Sequence, residues 1–126
     1  MPTKLKLFEY PGTAGKFNGI STKPPKKLRK PRVLEKDITK AIRRFLDFKK
    51  IFHWKVWQGL GSVPGVPDIL AIHKGKLIGI EVKTEKGKLS DKQAEFMAKM
   101  SHHGAIVFIA HSAKEVEEHL IRFGVI

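Results

Sequence analysis

The sequence predicts an α/β fold, in which a mixed central sheet is flanked by helices in the order α-β-β-β-α-β-α behind a basic N-terminal arm. The first predicted element is a helix, because apolar residues recur every three or four positions over 34–45. Two apolar segments, 69–72 and 77–82, then flank a short Lys74-Gly75 turn, as the strands of a hairpin do. The continuously apolar run 105–110 predicts a buried strand, and a helix-capping pattern follows it.

Residues 1–33 differ in composition from the remainder of the chain and form the predicted arm. They hold nine Lys or Arg against a single Glu, and five of the seven prolines. Proline and glycine at this density disfavour regular structure, so we predict a domain boundary here and a folded domain at 34–126. The arm is expected to contact phosphates, although a solubilising tail or a dimer contact would have the same composition. The candidate phosphate-binding residues of the arm are Lys23, Lys26, Lys27, Arg29, Lys30 and Arg32.

The first helix and the first strand each carry a candidate site residue. Glu35 falls in the first helical turn, where a carboxylate also complements the helix dipole without any further function. The segment 52–57 alternates as a strand does. His53 and Trp57 within it are candidates for contacting unpaired bases, and core packing is an equally good reading for the tryptophan. The glycine-rich stretch 58–65 then predicts a loop that leads into the second strand.

Two carboxylates and one ammonium lie on the predicted hairpin. Asp68 heads the second strand, while Glu81 and Lys83 are two residues apart on the third and so share one face. If Asp68 lies across the sheet from Glu81, the two carboxylates can chelate a hard cation such as Mg²⁺, and Lys83 can orient or deprotonate a water. Alternatively, Asp68 caps a turn and Glu81 forms a solvated ion pair with Lys83. A carboxylate in an apolar strand is costly to bury unless it is paired, which is the argument for a metal.

Capping patterns predict the beginnings of the last two helices. Ser90 and Gln93 have the spacing of a capping box, and Ser112 with Glu115 repeats that spacing before the final helix. In this reading Gln93 turns back towards the backbone of its own helix. We therefore expect that a capping Gln93 cannot also reach the carboxylates of the hairpin.

Charge and composition favour a nucleic-acid partner. Twenty-five Lys and Arg against 12 Asp and Glu give a formal net charge of +13 over 126 residues, which favours binding to a polyanion. No apolar run approaches the ~20 residues that span a bilayer, so we expect no membrane association. The sequence has no cysteine, which excludes disulfides and thiolate metal sites and makes a cytoplasmic setting the expectation. Its six histidines lack the spacing of a zinc site.

The motifs around these residues resemble those of the PD-(D/E)xK nuclease superfamily and, within it, the VRR-NUC (virus-type replication-repair nuclease) family. The resemblance lies in three stretches, 65–70, 79–83 and 87–90, together with Gln93. It implies that the α-β-β-β-α-β-α order is the PD-(D/E)xK core and suggests a free-standing member from a bacterium or a phage-infected cell. The catalytic residues it implies are Asp68, Glu81, Lys83, Glu35 and Gln93, with the metal held by Asp68, Glu81, Glu35 and the backbone carbonyl of Val82.

The resemblance also implies an activity and its partners. We expect Mg²⁺ or Mn²⁺ as the cofactor, no organic cofactor, and cleavage of branched DNA such as four-way (Holliday) junctions by a homodimer. Lys86 and Lys88, which follow the third strand, are expected to contact the nucleic acid. The alternatives are a flap or single-strand nuclease, a non-catalytic DNA-binding protein on the same fold, and an RNA-binding protein.

Overall fold

A computed structural model describes residues 32–126 of the protein. Its elements follow the predicted order, which is confirmed: α1 (Glu35–Phe48), β1 (Phe52–Lys55), β2 (Ile69–His73), β3 (Lys76–Val82), α2 (Asp91–His102), β4 (Ile106–Ala110) and α3 (Ala113–Arg122). Within the described residues, no helix has the length and apolar character needed to cross a membrane. The arm lies outside the described residues except for Arg32 and Val33, which are exposed. The boundary at residue 33 and the arm's Lys23, Lys26, Lys27, Arg29 and Lys30 therefore stay predictions.

The four strands form one mixed sheet in the order β1-β2-β3-β4. The pairs β1–β2 and β2–β3 are antiparallel, whereas β3 and β4 are parallel and are joined through α2. The β2–β3 turn places Lys74 at φ 52° and Gly75 at φ 80°, and two such positive angles characterise the tight turns whose twist matches a hairpin. This turn fixes the register in which Ile69 faces Ile80.

The main core lies on one face of the sheet, against α1 and α3. Ile42 and Leu46 of α1 and Leu120 of α3 are fully buried, as are Ile78 and Ile80 of β3. Burial of side chains of this size contributes about 1.5–3 kcal/mol each. Because side chains alternate along β3, the burial of residues 78, 80 and 82 on this face directs residues 81 and 83 to the opposite one.

The second helix packs on the opposite face of the sheet. Gly79 in the middle of β3 permits this approach, because a Cβ there would lie 3.0 Å from Met100 and 3.1 Å from both Pro67 and Val107. The first turn of α2 thereby comes near the carboxyl end of β3. Helix α2 begins at Asp91 with the capping box that the sequence predicts.

The first strand is shorter than predicted, since it ends at Lys55 rather than at residue 57. The backbone N–H of Val56 still donates to the carbonyl of Asp68 at 2.8 Å. Beyond it the chain turns away, and the Trp57 ring folds over Gly59, where a Cβ would lie 2.1 Å from the ring. The alternating pattern of 52–57 therefore continues into a loop that has no strand partner.

Candidate active site

Asp68 is held at the junction of three strands. It precedes β2, its backbone carbonyl accepts from Val56 at 2.8 Å, and its side-chain Oδ2 accepts from the backbone N–H of Val82 at 2.8 Å. The register Ile69–Ile80 places Asp68 next to Glu81 at the end of the hairpin. The structure therefore brings together the two carboxylates that the sequence singled out.

Glu81 is a buried carboxyl group with one oxygen satisfied and the other not. Its side chain is 1% exposed. Its Oε2 accepts a hydrogen bond from Gln93 Nε2 at 2.9 Å and lies 3.7 Å from Lys83 Nζ. Its Oε1 is also buried and has no hydrogen-bond partner among the described residues. A buried acceptor without a donor costs about 1–3 kcal/mol, so this atom marks a place where a further group would be stabilising.

The electrostatics of the pair follow from this burial. Desolvation by burial, and after it the negative charge of Asp68, raise the pKa of Glu81 from 4.5 to about 8. Lys83 opposes the increase, and Glu35 adds slightly to it. A carboxyl group with this pKa holds a proton at neutral pH until a cation replaces it, because two adjacent carboxylates repel each other when both are ionised.

Lys83 shares the face of Glu81, as the alternation predicts, and its side chain is 12% exposed. Its backbone N–H donates to the carbonyl of Ala110 at 3.1 Å, which anchors the end of β3 to β4. A turn follows in which Gly87 donates to Thr84 at 2.9 Å. A Cβ at Gly87 would lie 3.3 Å from Cδ of Lys83, so the turn covers the aliphatic part of this side chain. Lys83 is thus held close to the carboxyl group of Glu81.

Gln93 caps its own helix and also contacts the candidate site, two roles that were expected to exclude each other. Its Oε1 accepts from the backbone N–H of Ser90 at 2.9 Å, while its own N–H donates to Ser90 Oγ at 3.1 Å. Its Nε2 simultaneously donates to Glu81 Oε2 at 2.9 Å. The expectation that these roles exclude each other is wrong, because the two ends of one amide bind different partners.

Glu35 begins α1 and lies at the edge of this site. It is close enough to influence the pKa of Glu81 and lines a cavity of about 960 Å³ together with Thr84, Lys86 and His111. Residues 32–126 contain no group of three or more His, Cys, Asp or Glu side chains placed to share a metal. Glu35 is therefore not part of a three-carboxylate cluster with Asp68 and Glu81, and its role stays a prediction.

The predicted nucleic-acid contacts have different outcomes. Lys86 and Lys88 are exposed in the loop that follows Lys83, where their role stays a prediction. The prediction for His53 is wrong, because its side chain is 4% exposed and its Nδ1 lies 2.9 Å from the carbonyl of Ile51. Trp57 is 63% exposed and remains accessible to a ligand.

Sequence reasoning missed Gly65, which helps to position Asp68 against α2. Gly65 has φ 87°, and a Cβ there would lie 2.4 Å from the carbonyl oxygen of Lys92. The loop that carries Asp68 is therefore packed directly on the first turn of the helix that carries Gln93. A glycine two residues before Pro-Asp was the available signal, but Lys92, on which it packs, is 27 residues away in the sequence.

The donor set fits a hard divalent cation. Asp68 and Glu81 supply carboxylate oxygens, which Mg²⁺ prefers, and the unpaired Oε1 of Glu81 lacks what a cation provides. Two protein carboxylates suffice, since Mg²⁺ usually keeps several waters. The carbonyl of Val82, at the end of β3, stays a predicted further ligand.

A four-stranded mixed sheet with two adjacent carboxyl groups and a lysine at the end of its hairpin defines the PD-(D/E)xK class of nuclease folds. Comparison with known proteins specifies the family. The sequence model of the VRR-NUC domain matches residues 19–114, and the chain belongs to this nuclease family. A solved structure of a VRR-NUC domain is similar, with a TM-score of 0.58 and 27% identity over 70% of this chain and 94% of that one. No curated protein matches the chain.

Proposed function

We propose that this protein is a Mg²⁺- or Mn²⁺-dependent endonuclease that hydrolyses phosphodiester bonds in branched DNA. One observation carries the proposal: Glu81 Oε1 is buried beside the carboxyl group of Asp68, and no residue of 32–126 provides it with a hydrogen-bond partner. An ionised carboxylate in such a place is stable only beside a positive charge, and Lys83 at 3.7 Å approaches the other oxygen. Membership of a nuclease family supports phosphodiester hydrolysis as the chemistry.

In this mechanism Asp68 and Glu81 hold the cation, with the carbonyl of Val82 as a further ligand. The chemistry that such a cation supplies is neutralisation of charge at the scissile phosphate and a lowered pKa of nearby water. Lys83 positions the attacking water or helps to deprotonate it. Gln93 holds Oε2 of Glu81 through its amide, which restrains the orientation of the carboxyl group. Glu35 assists from the edge of the site.

The branched substrate and the homodimer are the finer part of the proposal. A four-way junction has two-fold symmetry, and a dimer with an isologous interface presents two active sites related in the same way. We therefore expect paired nicks on opposed strands. The alternatives, a flap or single-strand nuclease and a non-catalytic DNA-binding protein, predict a single nick and no cleavage respectively.

A cleavage panel tests the proposal. Labelled single strand, duplex, flap and four-way junction are incubated with the full-length protein in Mg²⁺, Mn²⁺ or EDTA, and the solution mass is measured in parallel. We expect paired, near-symmetric nicks in the junction, little cleavage of duplex, none in EDTA, and a mass near twice 14.3 kDa. A monomer that nicks one strand of a flap would contradict the proposed junction substrate and the proposed homodimer. It would still agree with a nuclease function. Failure to cleave any substrate in either metal would contradict the proposal that the protein is an enzyme.

A further inference from the structure

A cleft between the outer face of α1 and the end of β1 is lined almost entirely by cationic side chains. It has a volume of about 430 Å³, and its lining residues are Lys36, Thr39, Lys40, Arg43, Arg44, Asp47 and Lys55. Five of these seven are Lys or Arg, and one is acidic. None belongs to the candidate active site or to the arm, so the cleft is a separate feature of the folded domain.

The cations are arranged as a row along the helix. Lys36, Lys40 and Arg44 are spaced four residues apart, so they lie on one face of α1 over about 12 Å. That length corresponds to three or four base-pair steps of about 3.4 Å each. Arg43 lies beside the row, with its Nε buried and without a hydrogen-bond partner among the described residues. Packing therefore restrains at least one guanidinium group of the cleft.

Helix stability does not explain this arrangement. Like charges four residues apart destabilise a helix by about 0.2–0.5 kcal/mol per pair. Lys36 in the first turn also opposes the helix dipole, which favours cations in the last turn, where α1 has none. The row thus imposes a cost on the folded protein that an anionic partner would remove.

The positive charge is not neutralised within the domain. Among residues 32–126 the only ion pairs are His53–Asp47, Lys83–Glu81 and His111–Glu115, and none includes a cation of the cleft. Asp47, the single acid of the cleft, lies 3.7 Å from His53. The cleft is therefore available to an external anion.

Two residues of the cleft, Lys36 and Lys55, are neighbours of candidate site residues along the chain or across the sheet. Lys36 directly follows Glu35 at the start of α1, while Lys55 ends β1 opposite Ile69, the residue after Asp68. The next residue, Val56, donates to the backbone carbonyl of Asp68. The start of α1 and the end of β1 are thus the two elements through which the cleft adjoins the residues of the candidate site.

We infer that this cleft binds the sugar–phosphate backbone of duplex DNA that flanks the scissile bond. The inference rests on the proposed function, which makes DNA the substrate. No apolar or aromatic residue lines the cleft, whereas the cores of protein interfaces are depleted in Lys, and single-strand binders use aromatic stacking. Duplex backbone is the ligand that requires cations alone.

The test measures the salt dependence of duplex binding in a full-length variant that does not cleave, Asp68→Asn. In that background Lys40→Ala/Arg44→Ala is compared with Lys114→Ala/Arg122→Ala, which removes two exposed cations of α3. We expect the slope of log K against log salt to decrease in magnitude by about 1.8 in the cleft variant, since each phosphate contact contributes about 0.9. Binding at 0.1 M salt should weaken on the order of 10- to 60-fold. The control should retain its slope.

The possible outcomes distinguish a failure of this inference from a failure of the proposed function. An unchanged slope in the cleft variant would overturn the inference. If the protein with Asp68 intact still cleaves DNA, the proposed nuclease function would stand. An equal loss of binding to a single strand of the same length, or a loss only on vesicles of anionic lipid, would also overturn the assignment to duplex. If the slope is reduced in the cleft variant but the protein with Asp68 intact cleaves no substrate, the result would support DNA binding by the cleft and contradict the proposed nuclease activity.

Discussion

The raised pKa of Glu81 predicts an unusual pH dependence of stability in the metal-free protein. Its pKa is about 8 in the folded state against 4.5 ordinarily, so between these values the folded protein holds a proton that the unfolded chain releases. The free energy of unfolding should therefore fall as pH rises through this window, and the fall should be complete above pH 8. At 1.36 kcal/mol per pKa unit, the total is on the order of 5 kcal/mol.

The perturbation that isolates this effect is Glu81→Gln, which keeps the size of the side chain and removes its titration. Urea unfolding is followed by tryptophan fluorescence in EDTA at pH 5, 7 and 9. Starting from pH 5, we expect the wild-type protein to lose about 2.5 kcal/mol relative to the variant by pH 7 and on the order of 4 kcal/mol by pH 9. Glu118→Gln, which changes an exposed carboxylate on α3, is the matched control and should follow the wild-type curve.

Addition of Mg²⁺ extends this experiment. A cation that binds the ionised pair stabilises the folded state, and the effect should be largest at pH 9, where no proton competes for Glu81. The Glu81→Gln variant should gain much less. Parallel pH curves for the wild-type protein and Glu81→Gln would refute the reasoning, because they would show that this carboxyl group does not titrate differently in the two states.

Three other predictions concern the supports of the site and the arm. Gly65→Ala should destabilise the protein by about 2 kcal/mol or more in thermal unfolding, whereas Gly61→Ala, which has the same φ of 87° but open space around it, should cost only about 1–2 kcal/mol. Ser90→Ala should cost about 1 kcal/mol of stability with cleavage largely retained, whereas Gln93→Ala should lower cleavage as well. Deletion of residues 1–32 should weaken DNA binding and flatten its salt dependence, and an unchanged slope would exclude the arm from DNA contact.

The element order was predictable because each element carries its own local period. Alternation placed Glu81 and Lys83 on one face, and the tight Lys74-Gly75 turn left little freedom in the register that brings Asp68 beside them. These inferences concern residues that are close to one another in the sequence. The end of β1 was not predictable, because the same alternation persists through Trp57 after strand pairing stops.

The features that sequence reasoning missed depend on contacts between distant segments. The double role of Gln93 requires the first turn of α2 to lie over β3, and the packing of Gly65 on Lys92 helps to hold it there. The burial of His53 depends on α1 covering that face of the sheet. The cationic cleft combines α1 with Lys55 of β1, so its charges appear scattered in the sequence.

The most direct test of the central claim is the Mg²⁺ dependence of junction cleavage in Asp68→Asn compared with Asp37→Asn. Both variants remove one carboxylate at nearly constant volume, but Asp37 is exposed on α1 and lies outside the proposed site. We expect Asp37→Asn to cleave as the wild-type protein does in Mg²⁺ and Asp68→Asn to be inactive while still folding and binding DNA. Wild-type turnover by Asp68→Asn, or cleavage that persists in EDTA, would contradict a metal-dependent site built on Asp68, Glu81 and Lys83.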